Sequence, residues 1–338
     1  MVDLRSDTLT RPTAAMREAM SSAPVGDDVY DEDPSVNALQ DRACEITGKE
    51  AAIYTVTGTM ANNLAIRTRC QPGDEALMHH WSHPFNYEGG SPAALSGVTV
   101  RPLQGERGLV DPRSLKAELK PEDRHFSRQK LLSVENTHNR GGGTVWPLDL
   151  LDEVMAIAKE AGLATHMDGA RVFNASQASG VPVREYARRA DTLSFCLSKG
   201  LGAPVGSLLC GTREVIDDAR RFRHMFGGGW RQAGVIAAAG LYALDNHVDR
   251  LAEDQRRART LAEAIEGSDG LRLLSPVETN IVVFGSRQDG VPAVDIQAAL
   301  LDRGVSVGVM TCDALRAVTH LDLDDGGLAT AVKALSEL

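Results

Sequence analysis

The sequence predicts an α/β fold in which a mostly parallel sheet is followed by a smaller α+β unit. Apolar strand patterns alternate with helical patterns from residue 51 to residue 210, which is typical of a parallel sheet covered by helices on both faces. After about residue 250 the predicted order becomes strand, helix, strand, strand, helix. We therefore predict a large domain over residues 1–249, including an amino-terminal arm, and a small carboxy-terminal domain over residues 250–338.

Composition and charge exclude several classes of protein. The chain has 338 residues, enough to bury a large core, and its 43% hydrophobic and 24% charged residues are ordinary for a globular protein. A formal net charge of -10 argues against a nucleic-acid partner, and no apolar run is long enough to cross a membrane. The N-terminus lacks the apolar segment of a signal peptide. Because the five cysteines are scattered, we expect a cytoplasmic protein without disulfides.

The first 32 residues show no helical periodicity apart from a short segment after Pro12. Their polar opening, residues 5–8, has no apolar partner nearby. This segment is therefore either a loose arm or an arm that reaches a site elsewhere in the fold. Asp33 and Pro34 then predict the start of a helix, with Asp33 as its N-cap, and Gly48 predicts its end.

A strand, a small turn and a helix follow one another over residues 51–67. The turn contains Gly58 and Thr59 and precedes a helix predicted to begin at Asn62. Free backbone N–H groups at the start of a helix can bind an anion, and Thr59 adds a hydroxyl donor. The turn matches neither a Walker loop nor the dinucleotide fingerprint, and many α/β proteins have such a turn for packing alone.

The remaining elements of the large domain continue the alternation. Further strands are predicted at residues 75–78, 98–103, 130–135, 163–168 and 207–210, and in the apolar run that begins at residue 193. Helices are predicted at residues 112–119, 148–158 and 233–244. The last of these is rich in alanine and glycine and follows a glycine-rich loop, so we expect it to be buried, with another subunit as one possible neighbour.

The small domain is predicted to follow a charged amphipathic helix at residues 248–265. Its strands are predicted at residues 280–284, 305–309 and 315–319, and its helices at residues 294–301 and 328–335. Arg316 lies on the last of these strands, where a surface cation is the simplest interpretation.

Three histidines, His79, His80 and His83, follow the strand at residues 75–78. Three interpretations are open. They could bind zinc, although no carboxylate or cysteine completes a site at a usual spacing. A flat imidazole could stack on a planar ligand, or the group could be an ordinary surface cluster.

Two charged residues, Asp168 and Lys199, each follow an apolar run. An acid at the end of a buried strand is costly to desolvate without a partner; Asp168 could pair with Arg171, or it could hold a cationic atom of a ligand. Burial lowers the pKa of an ammonium, and a neutral amine can attack an aldehyde. Lys199 could instead extend into water at the end of its strand.

Ligands of parallel sheets bind beyond the carboxyl ends of the strands. The predicted strands bring Gly58 and Thr59, His83, Asp168 with Arg171, and Lys199 to those ends. An amine, an acid, an anion-binding turn and a flat imidazole are what pyridoxal phosphate requires, for its aldehyde, its ring nitrogen, its phosphate and its ring face.

The sequence resembles the low-specificity L-threonine aldolases of the β-eliminating lyase/threonine aldolase family, which have the aspartate-aminotransferase-like fold of pyridoxal-phosphate enzymes of fold type I. The resemblance covers nearly the whole chain. The motifs that carry it are Arg-Ser-Asp-Thr at 5–8, Gly-Asp-Asp-Val-Tyr at 26–30, Thr-Gly-Thr-Met-Ala-Asn at 57–62, Glu-Asn-Thr-His-Asn at 135–139, His-Met-Asp-Gly-Ala-Arg at 166–171, Ser-Lys-Gly-Leu-Gly-Ala-Pro at 198–204, Gly-Gly-Trp-Arg-Gln-Ala-Gly at 228–234 and Arg-Ala-Val-Thr-His at 316–320.

The resemblance implies a role for each matching residue. Lys199 forms a Schiff base with the cofactor, Asp168 pairs with its ring nitrogen and His83 stacks on its ring. Gly58 and Thr59 bind its phosphate, together with Arg231 of a neighbouring subunit.

For the amino-acid substrate, the resemblance implies that Ser6, Arg171 and Arg316 bind the carboxylate and that His125 lies near the side chain. His83, or a water held by His83 and His125, is implied as the base. The resemblance also implies a homotetramer built from dimers and a lyase that forms glycine.

Two positions depart from the family pattern. Asp31 stands where a glycine is expected, and Trp230 stands where a methionine is usual. Both affect the expected substrate preference more than the expected reaction. The alternatives are a pyridoxal-phosphate lyase that catalyses β-elimination, a cofactor-binding interaction protein without turnover, and the zinc enzyme suggested by the histidines.

Overall fold

The computed structural model describes residues 1–338 and contains thirteen strands, fourteen α-helices and three short 3₁₀ helices. The strands are Val2–Asp3 (β1), Ala51–Thr55 (β2), Glu75–His79 (β3), Thr99–Leu103 (β4), Gln129–Glu135 (β5), Ala164–Asp168 (β6), Thr192–Cys196 (β7), Ser207–Gly211 (β8), Leu271–Leu273 (β9), Ile281–Ser286 (β10), Val305–Ser306 (β11), Gly308–Val309 (β12) and Leu315–Val318 (β13). The helices are Ala14–Ser21 (α1), Pro34–Thr47 (α2), Gly58–Arg69 (α3), His83–Asn86 (α4), Ser91–Ser96 (α5), Pro112–Glu118 (α6), Leu148–Glu160 (α7), Val172–Ser179 (α8), Val183–Ala187 (α9), Arg213–Met225 (α10), Gly234–Asn246 (α11), Leu251–Glu266 (α12), Ala293–Asp302 (α13) and Asp325–Ser336 (α14).

The central sheet has seven strands in the order β2, β8, β7, β6, β5, β3, β4. Only β8 runs antiparallel to its neighbours; the other pairs are parallel. The strands β2, β3, β7 and β8 are buried along their whole length, as continuous apolar runs between two helical layers should be. The predicted α/β fold with a mostly parallel sheet is confirmed.

Helix boundaries follow the capping residues. Asp33 caps α2 by accepting from the backbone N–H groups of Ser35 and Val36, and Gly48 ends it with a left-handed backbone (φ 71°). Helix α3 begins at Gly58, four residues before the predicted start at Asn62. Thr57 is its N-cap and accepts from the Met60 N–H, so the glycine and threonine of the turn already belong to the helix.

A second sheet of four antiparallel strands, in the order β12, β13, β10, β9, belongs to the carboxy-terminal part of the chain. The single strand predicted at residues 305–309 is wrong, because its two ends pair with different partners. Val305 lies in register with Val2 of β1, while Gly308 lies in register with Arg316 of β13. Val307 is buried between them at the point where the chain changes sheets.

The amino-terminal arm packs against this carboxy-terminal part. Strand β1 pairs in parallel with β11, and Leu4 is fully buried in the second core, among residues between Ala258 and Leu335. The arm is therefore anchored, and residues 6–8 continue from it toward the central sheet. The division into residues 1–249 and 250–338 stays a prediction. Residues 2–4 belong to the first of these segments by sequence but pack against residues of the second. None of the fourteen helices has both the length and the apolar character needed to cross a bilayer.

Candidate active site

A cavity of about 300 Å³ lies at the carboxyl ends of the parallel strands, where ligands of such sheets bind. Eight of the ten residues selected from the sequence line it. They are Ser6, Gly58, Thr59, His83, Asp168, Arg171, Lys199 and Arg316. The other two, His125 and Arg231, lie elsewhere on the chain. The arm, the central sheet and the carboxy-terminal sheet thus each contribute side chains to one cavity.

One end of the cavity is the amino terminus of α3. Thr57 caps this helix. The N–H groups of Gly58 and Thr59 lie in its first turn, where no carbonyl of the helix accepts from them, and both residues line the cavity. A Cβ atom added to Gly58 would lie 2.9 Å from Cys196 Sγ, so glycine is needed for the close approach of the two chain segments. This end of the cavity suits an anion, because N–H groups and the helix dipole both favour negative charge.

Asp168 ends β6 and is 4% exposed. Its carboxylate accepts from the Ala170 N–H at 3.0 Å and from Asn62 Nδ2 at 2.8 Å. The predicted alternative, a salt bridge with Arg171, is absent. Burial opposes the ionisation of Asp168, but the charges of His83 and Lys199 outweigh it and hold its pKa below the ordinary value. The result is a buried carboxylate that has no cationic side chain bonded to it and faces a cavity.

Asn62 holds Asp168 in place, a role that the sequence did not reveal. Its Oδ1 accepts from Ser194 Oγ at 2.9 Å and lies 3.1 Å from His166 Nε2. Burial lowers the pKa of His166 to about 4, so this imidazole is neutral, and its Nε2–H donates a hydrogen bond to Asn62 Oδ1. The network fixes the direction in which the Asn62 amide points, and with it the position of Asp168.

Lys199 follows β7 in the loop that returns to β8. It is half-buried, forms no ion pair, and lines the cavity beside Asp168. Its backbone carbonyl accepts from Thr10 Oγ1 at 3.0 Å, so the arm also contacts the segment that carries this lysine. The strand before Lys199 is buried as predicted, although the lysine itself is only half-buried.

Two arginines face the cavity from different parts of the chain. Arg171 Nε and Nη2 bind the two carboxylate oxygens of Asp7 at 2.7 Å each. Arg316 Nη1 binds Asn139 Oδ1 at 2.7 Å. Burial and the nearby charge of Arg171 lower the pKa of Arg316. Two guanidiniums that line one cavity favour an anion between them. A carboxylate has the matching geometry.

His83 is the first residue of α4 and lines the cavity. Its Nδ1 lies 2.9 Å from Glu88 Oε1, and its backbone N–H donates to Glu135 Oε2 at 2.9 Å. Burial opposes protonation of the ring, but Glu88 and Asp168 overcome it and raise the pKa of His83.

Glu135 is a further buried carboxylate at the cavity that the sequence assigned no role. It ends β5 and lies in register with Asp168. Burial and the charge of Asp168 raise the pKa of Glu135 to about 7. Its two oxygens accept from the backbone N–H groups of His83 and Asn139, so it joins the segments that carry the imidazole and the partner of Arg316.

The other two histidines of the cluster do not favour a zinc site. His79 Nε2 lies 3.1 Å from the Gly105 carbonyl, and its Nδ1 accepts from the Trp81 N–H. Both ring nitrogens are therefore already bonded to the backbone. His80 Nδ1 similarly lies 3.2 Å from the Leu103 carbonyl.

His125 lies far from the cavity of its own chain. It precedes β5, at the amino edge of the sheet, and its ring is exposed and paired with Asp123. The cavity is at the opposite edge, about 20 Å away along the seven residues of β5. Within one chain His125 therefore cannot reach the site.

Arg231 also lies outside the cavity, on an exposed surface. Its guanidinium binds Asp27 Oδ2 at 2.9 Å and is 62% exposed. The two family departures lie near this surface. Asp31 has a left-handed backbone (φ 58°), which explains why glycine is expected there, and binds Arg220. Trp230 packs edge-on against Tyr54, with ring centroids 4.9 Å apart. Neither side chain lines the cavity.

The residues present fit pyridoxal phosphate. Lys199 can bind its aldehyde, the start of α3 can bind its phosphate, and the carboxylate of Asp168 is free to pair with a protonated ring nitrogen. One anion site, one amine and one acid line a single cavity. They correspond to the phosphate, the aldehyde and the ring nitrogen of the cofactor.

Comparison with known proteins gives consistent matches over almost the whole chain. The family model described as beta-eliminating lyase matches residues 3–288. The chain is 44% identical over 332 residues to the low specificity L-threonine aldolase of Escherichia coli K12, a match covering 97% of this chain and 96% of that protein. It is 41% identical to the probable low-specificity L-threonine aldolase 2 of Arabidopsis thaliana, over 96% of this chain and 93% of the relative.

Solved structures show the same fold at low sequence identity. The Leishmania major threonine aldolase superposes with a TM-score of 0.87 at 19% identity and covers 99% of this chain and 98% of its own. The Sphingomonas wittichii serine palmitoyltransferase superposes with a TM-score of 0.77 at 18% identity, over 99% of this chain and 86% of its own.

Proposed function

This chain belongs to the beta-eliminating lyase family, and from that premise we propose that it cleaves L-threonine, L-allo-threonine and related β-hydroxy-α-amino acids to glycine and an aldehyde, reversibly and with pyridoxal phosphate as cofactor. The observation that carries the proposal is the meeting of Lys199, Asp168 and the amino terminus of α3 around one cavity, with Arg171 and Arg316 beside them. The 44% identity to a threonine aldolase over nearly the full length supports the same reaction.

When bound, pyridoxal phosphate supplies an aldehyde that forms a covalent bond with an amine and a ring that withdraws electrons from the bond being broken. The amine of Lys199 lines the same cavity as the carboxylate of Asp168. Asp168 is ionised and buried, and so it can keep a proton on a ring nitrogen that approaches it. Gly58 and Thr59 would hold its phosphate through their N–H groups.

The two arginines orient the substrate. Nη1 of Arg171 remains for a substrate carboxylate after Asp7 has taken its other two nitrogens. Arg316 binds the second carboxylate oxygen, and Ser6 lies beside them, held by Thr8. Fixing the carboxylate at two points sets the direction of the Cα–Cβ bond. Such positioning of reacting groups lowers an activation barrier by roughly several kcal/mol.

Cleavage also requires loss of the proton of the β-hydroxyl group. His83 is the base that we propose, because its imidazole lines the cavity and has one ring nitrogen without a partner in the chain. The hydroxyl proton passes to His83, the O–H electron pair becomes the second bond of the aldehyde carbonyl, and the Cα–Cβ bond breaks with its electron pair left on Cα. Cα then takes up a proton and glycine leaves.

A second copy of the chain supplies the two residues that lie outside the cavity. We propose a homotetramer, assembled as a dimer of dimers, in which His125 and Arg231 reach the site of a neighbouring subunit. Both side chains are exposed, and Tyr30, 70% exposed, lies on the loop held by Arg231. We also propose that the enzyme acts in the cytoplasm and that its physiological product is glycine.

The proposal is tested by identifying the products. The purified protein with pyridoxal phosphate should release glycine and an aldehyde from L-threonine, L-allo-threonine and phenylserine. The runner-up, favoured by the description of the family model, is β-elimination, which would release ammonia and a keto acid from an amino acid with a good leaving group such as β-chloroalanine. Ammonia and keto acid from β-chloroalanine, with no glycine from any of the three substrates, would replace the first function with the second.

A further inference from the structure

Glu88 is a buried carboxylate directly behind the cavity wall, and the reaction as described gives it no role. It lies between α4 and α5, and its side chain has no exposed surface. Its Oε1 lies 2.8 Å from Asn62 Nδ2 and 2.9 Å from His83 Nδ1, and its Oε2 lies 3.1 Å from Asn63 Nδ2. Three nitrogen atoms therefore surround one buried acid.

The direction of each of these hydrogen bonds follows from which atoms can donate and which can only accept. Asn62 Nδ2 lies 2.8 Å from both Asp168 Oδ2 and Glu88 Oε1, and Asn62 Oδ1 accepts from Ser194. An ionised Asp168 can only accept, so Nδ2 of Asn62 must point its two N–H groups at the two acids. Glu88 Oε1 is consequently an acceptor from Asn62.

The bond to Glu88 determines which ring nitrogen of His83 carries the proton. Burial raises the pKa of Glu88, and the hydrogen bonds from His83 and Asn62 oppose that shift by favouring the ionised form. An ionised Glu88 can bond the imidazole only if His83 Nδ1 carries a proton. In the neutral ring, Nε2 is then the nitrogen with a free lone pair. No group within the chain bonds Nε2, whereas the opposite tautomer would leave two lone pairs facing each other at 2.9 Å.

We propose that Glu88 is a positioning residue, which holds His83 in the tautomer with the proton on Nδ1 and leaves Nε2 free to accept the proton of the substrate's β-hydroxyl group. This inference rests on the proposed function. The transferred proton makes the ring an imidazolium with N–H groups on both nitrogens, and the Glu88 carboxylate offsets the new positive charge without moving.

The other charges around His83 determine what removing Glu88 would do. Asp168 and Glu135 face the ring from the ends of β6 and β5 and favour its protonation. Lys199, Arg171 and Arg316 line the same cavity, and their positive charges disfavour protonation of the ring. Glu88 is the one acid bonded to the ring, so its neutralisation should lower the pKa of His83.

The experiment compares the wild-type holoenzyme with Glu88→Gln, which keeps the shape and removes the charge. The matched control is Glu75→Gln, which neutralises a buried carboxylate at the amino edge of the sheet, where Lys120 and Gln129 bind it. Two readouts are needed: kcat and KM for L-threonine as a function of pH, and the ¹⁵N NMR shifts of the His83 ring nitrogens, assigned by their loss in His83→Asn.

We expect Nδ1 of wild-type His83 to carry the proton in the neutral ring. In Glu88→Gln, kcat should fall at least about tenfold with KM little changed, and the acidic limb of the pH profile should move to lower pH. Glu75→Gln should leave the pKa of His83 at its wild-type value. A merely structural role for Glu88 would lower the melting temperature and leave the pH profile in place, which would overturn the proposal.

The two proposals can fail separately. If no glycine forms from any substrate, the proposed function fails, while the tautomer and pKa of His83 still test the role of Glu88. If Glu88→Gln does not fold, the wild-type spectrum decides alone. A proton on Nε2 of wild-type His83 would overturn the inference even in an active aldolase.

Discussion

Asp7 holds Arg171 through two buried hydrogen bonds of 2.7 Å, one to each of its carboxylate oxygens. The two residues are 164 positions apart, and neither side chain is more than 5% exposed. Asp7 belongs to the arm that packs with the carboxy-terminal sheet, while Arg171 follows β6 of the central sheet. One ion pair therefore joins the two parts of the fold and leaves one face of the Arg171 guanidinium for a substrate.

Replacing Asp7 tests the importance of this pair for stability. Asp7→Asn leaves the Arg171 charge buried without its partner, which should lower the free energy of unfolding by roughly 3–5 kcal/mol. It should also raise KM for L-threonine, because Arg171 loses its fixed orientation. Asp3→Asn removes an exposed ion pair with Arg5 in the same arm and should change stability little. Equal denaturation curves for Asp7→Asn and wild type would refute this role.

The same pair predicts how stability depends on pH. Burial opposes the ionisation of Asp7, but Arg171 holds its pKa at about 2, below its ordinary value of 3.8. A folded pKa below the unfolded one contributes stability that is present above about pH 4 and is lost as the pH falls toward 2. The wild-type free energy of unfolding should therefore decline between pH 4 and 2, and Asp7→Asn should decline less steeply. Parallel curves for the two proteins would contradict the assignment.

Asp168 is predicted to be needed for turnover and not for holding the cofactor. Asp168→Asn keeps the hydrogen-bond geometry but cannot stabilise a positive ring nitrogen, so kcat should fall at least about 100-fold. The absorbance of bound pyridoxal phosphate should remain. Asp191→Asn is the control, because Asp191 caps the amino end of the same strand through Thr165 and should keep near-normal turnover. A normal kcat in Asp168→Asn would exclude the electron-withdrawing role.

Arg316 is predicted to bind the substrate carboxylate with a geometry that lysine cannot supply. Arg316→Lys keeps the charge and loses the paired donors, so KM for L-threonine should rise about tenfold or more. Arg272→Lys, on the edge strand β9 of the same sheet and half exposed, should behave as wild type. Steady-state kinetics of both variants gives KM for L-threonine. An unchanged KM in Arg316→Lys would mean that the substrate carboxylate binds elsewhere.

The cavity residues on strand ends were predictable because their positions follow from the topology of a parallel sheet. Once β2, β6 and β7 are recognised, Gly58, Asp168 and Lys199 must come to the same edge. The roles of these three residues came from chemistry: an amine, an acid and an anion-binding turn correspond to one cofactor. The resemblance to a family added the substrate-carboxylate role of Arg171 and Arg316; no local pattern distinguishes Arg316 from a surface cation.

The residues that hold the site in place could not be predicted in the same way. Asp7 and Arg171, or Asn62 and Asp168, meet only because the chain folds, and nothing in the sequence near either residue shows its partner. Glu88 lies in a polar stretch between two short helices, where a buried acid is unexpected. The break between β11 and β12 arises because Val305 of β11 pairs with Val2 of the distant arm, whereas Gly308 of β12 pairs with Arg316 of β13, and local periodicity cannot reveal such a change of partner.

The most direct test of the account is to find which lysine binds the cofactor. Borohydride reduction of the purified holoenzyme, followed by peptide mass mapping, fixes the cofactor to the amine that held it. We expect the label on Lys199 and on none of the six other lysines. Lys199→Ala should lose the label, the visible absorption band and turnover, while Lys49→Ala, a part-buried lysine bonded to the Ala190 carbonyl, should keep all three. A label on another lysine, or turnover that survives in Lys199→Ala, would contradict the account.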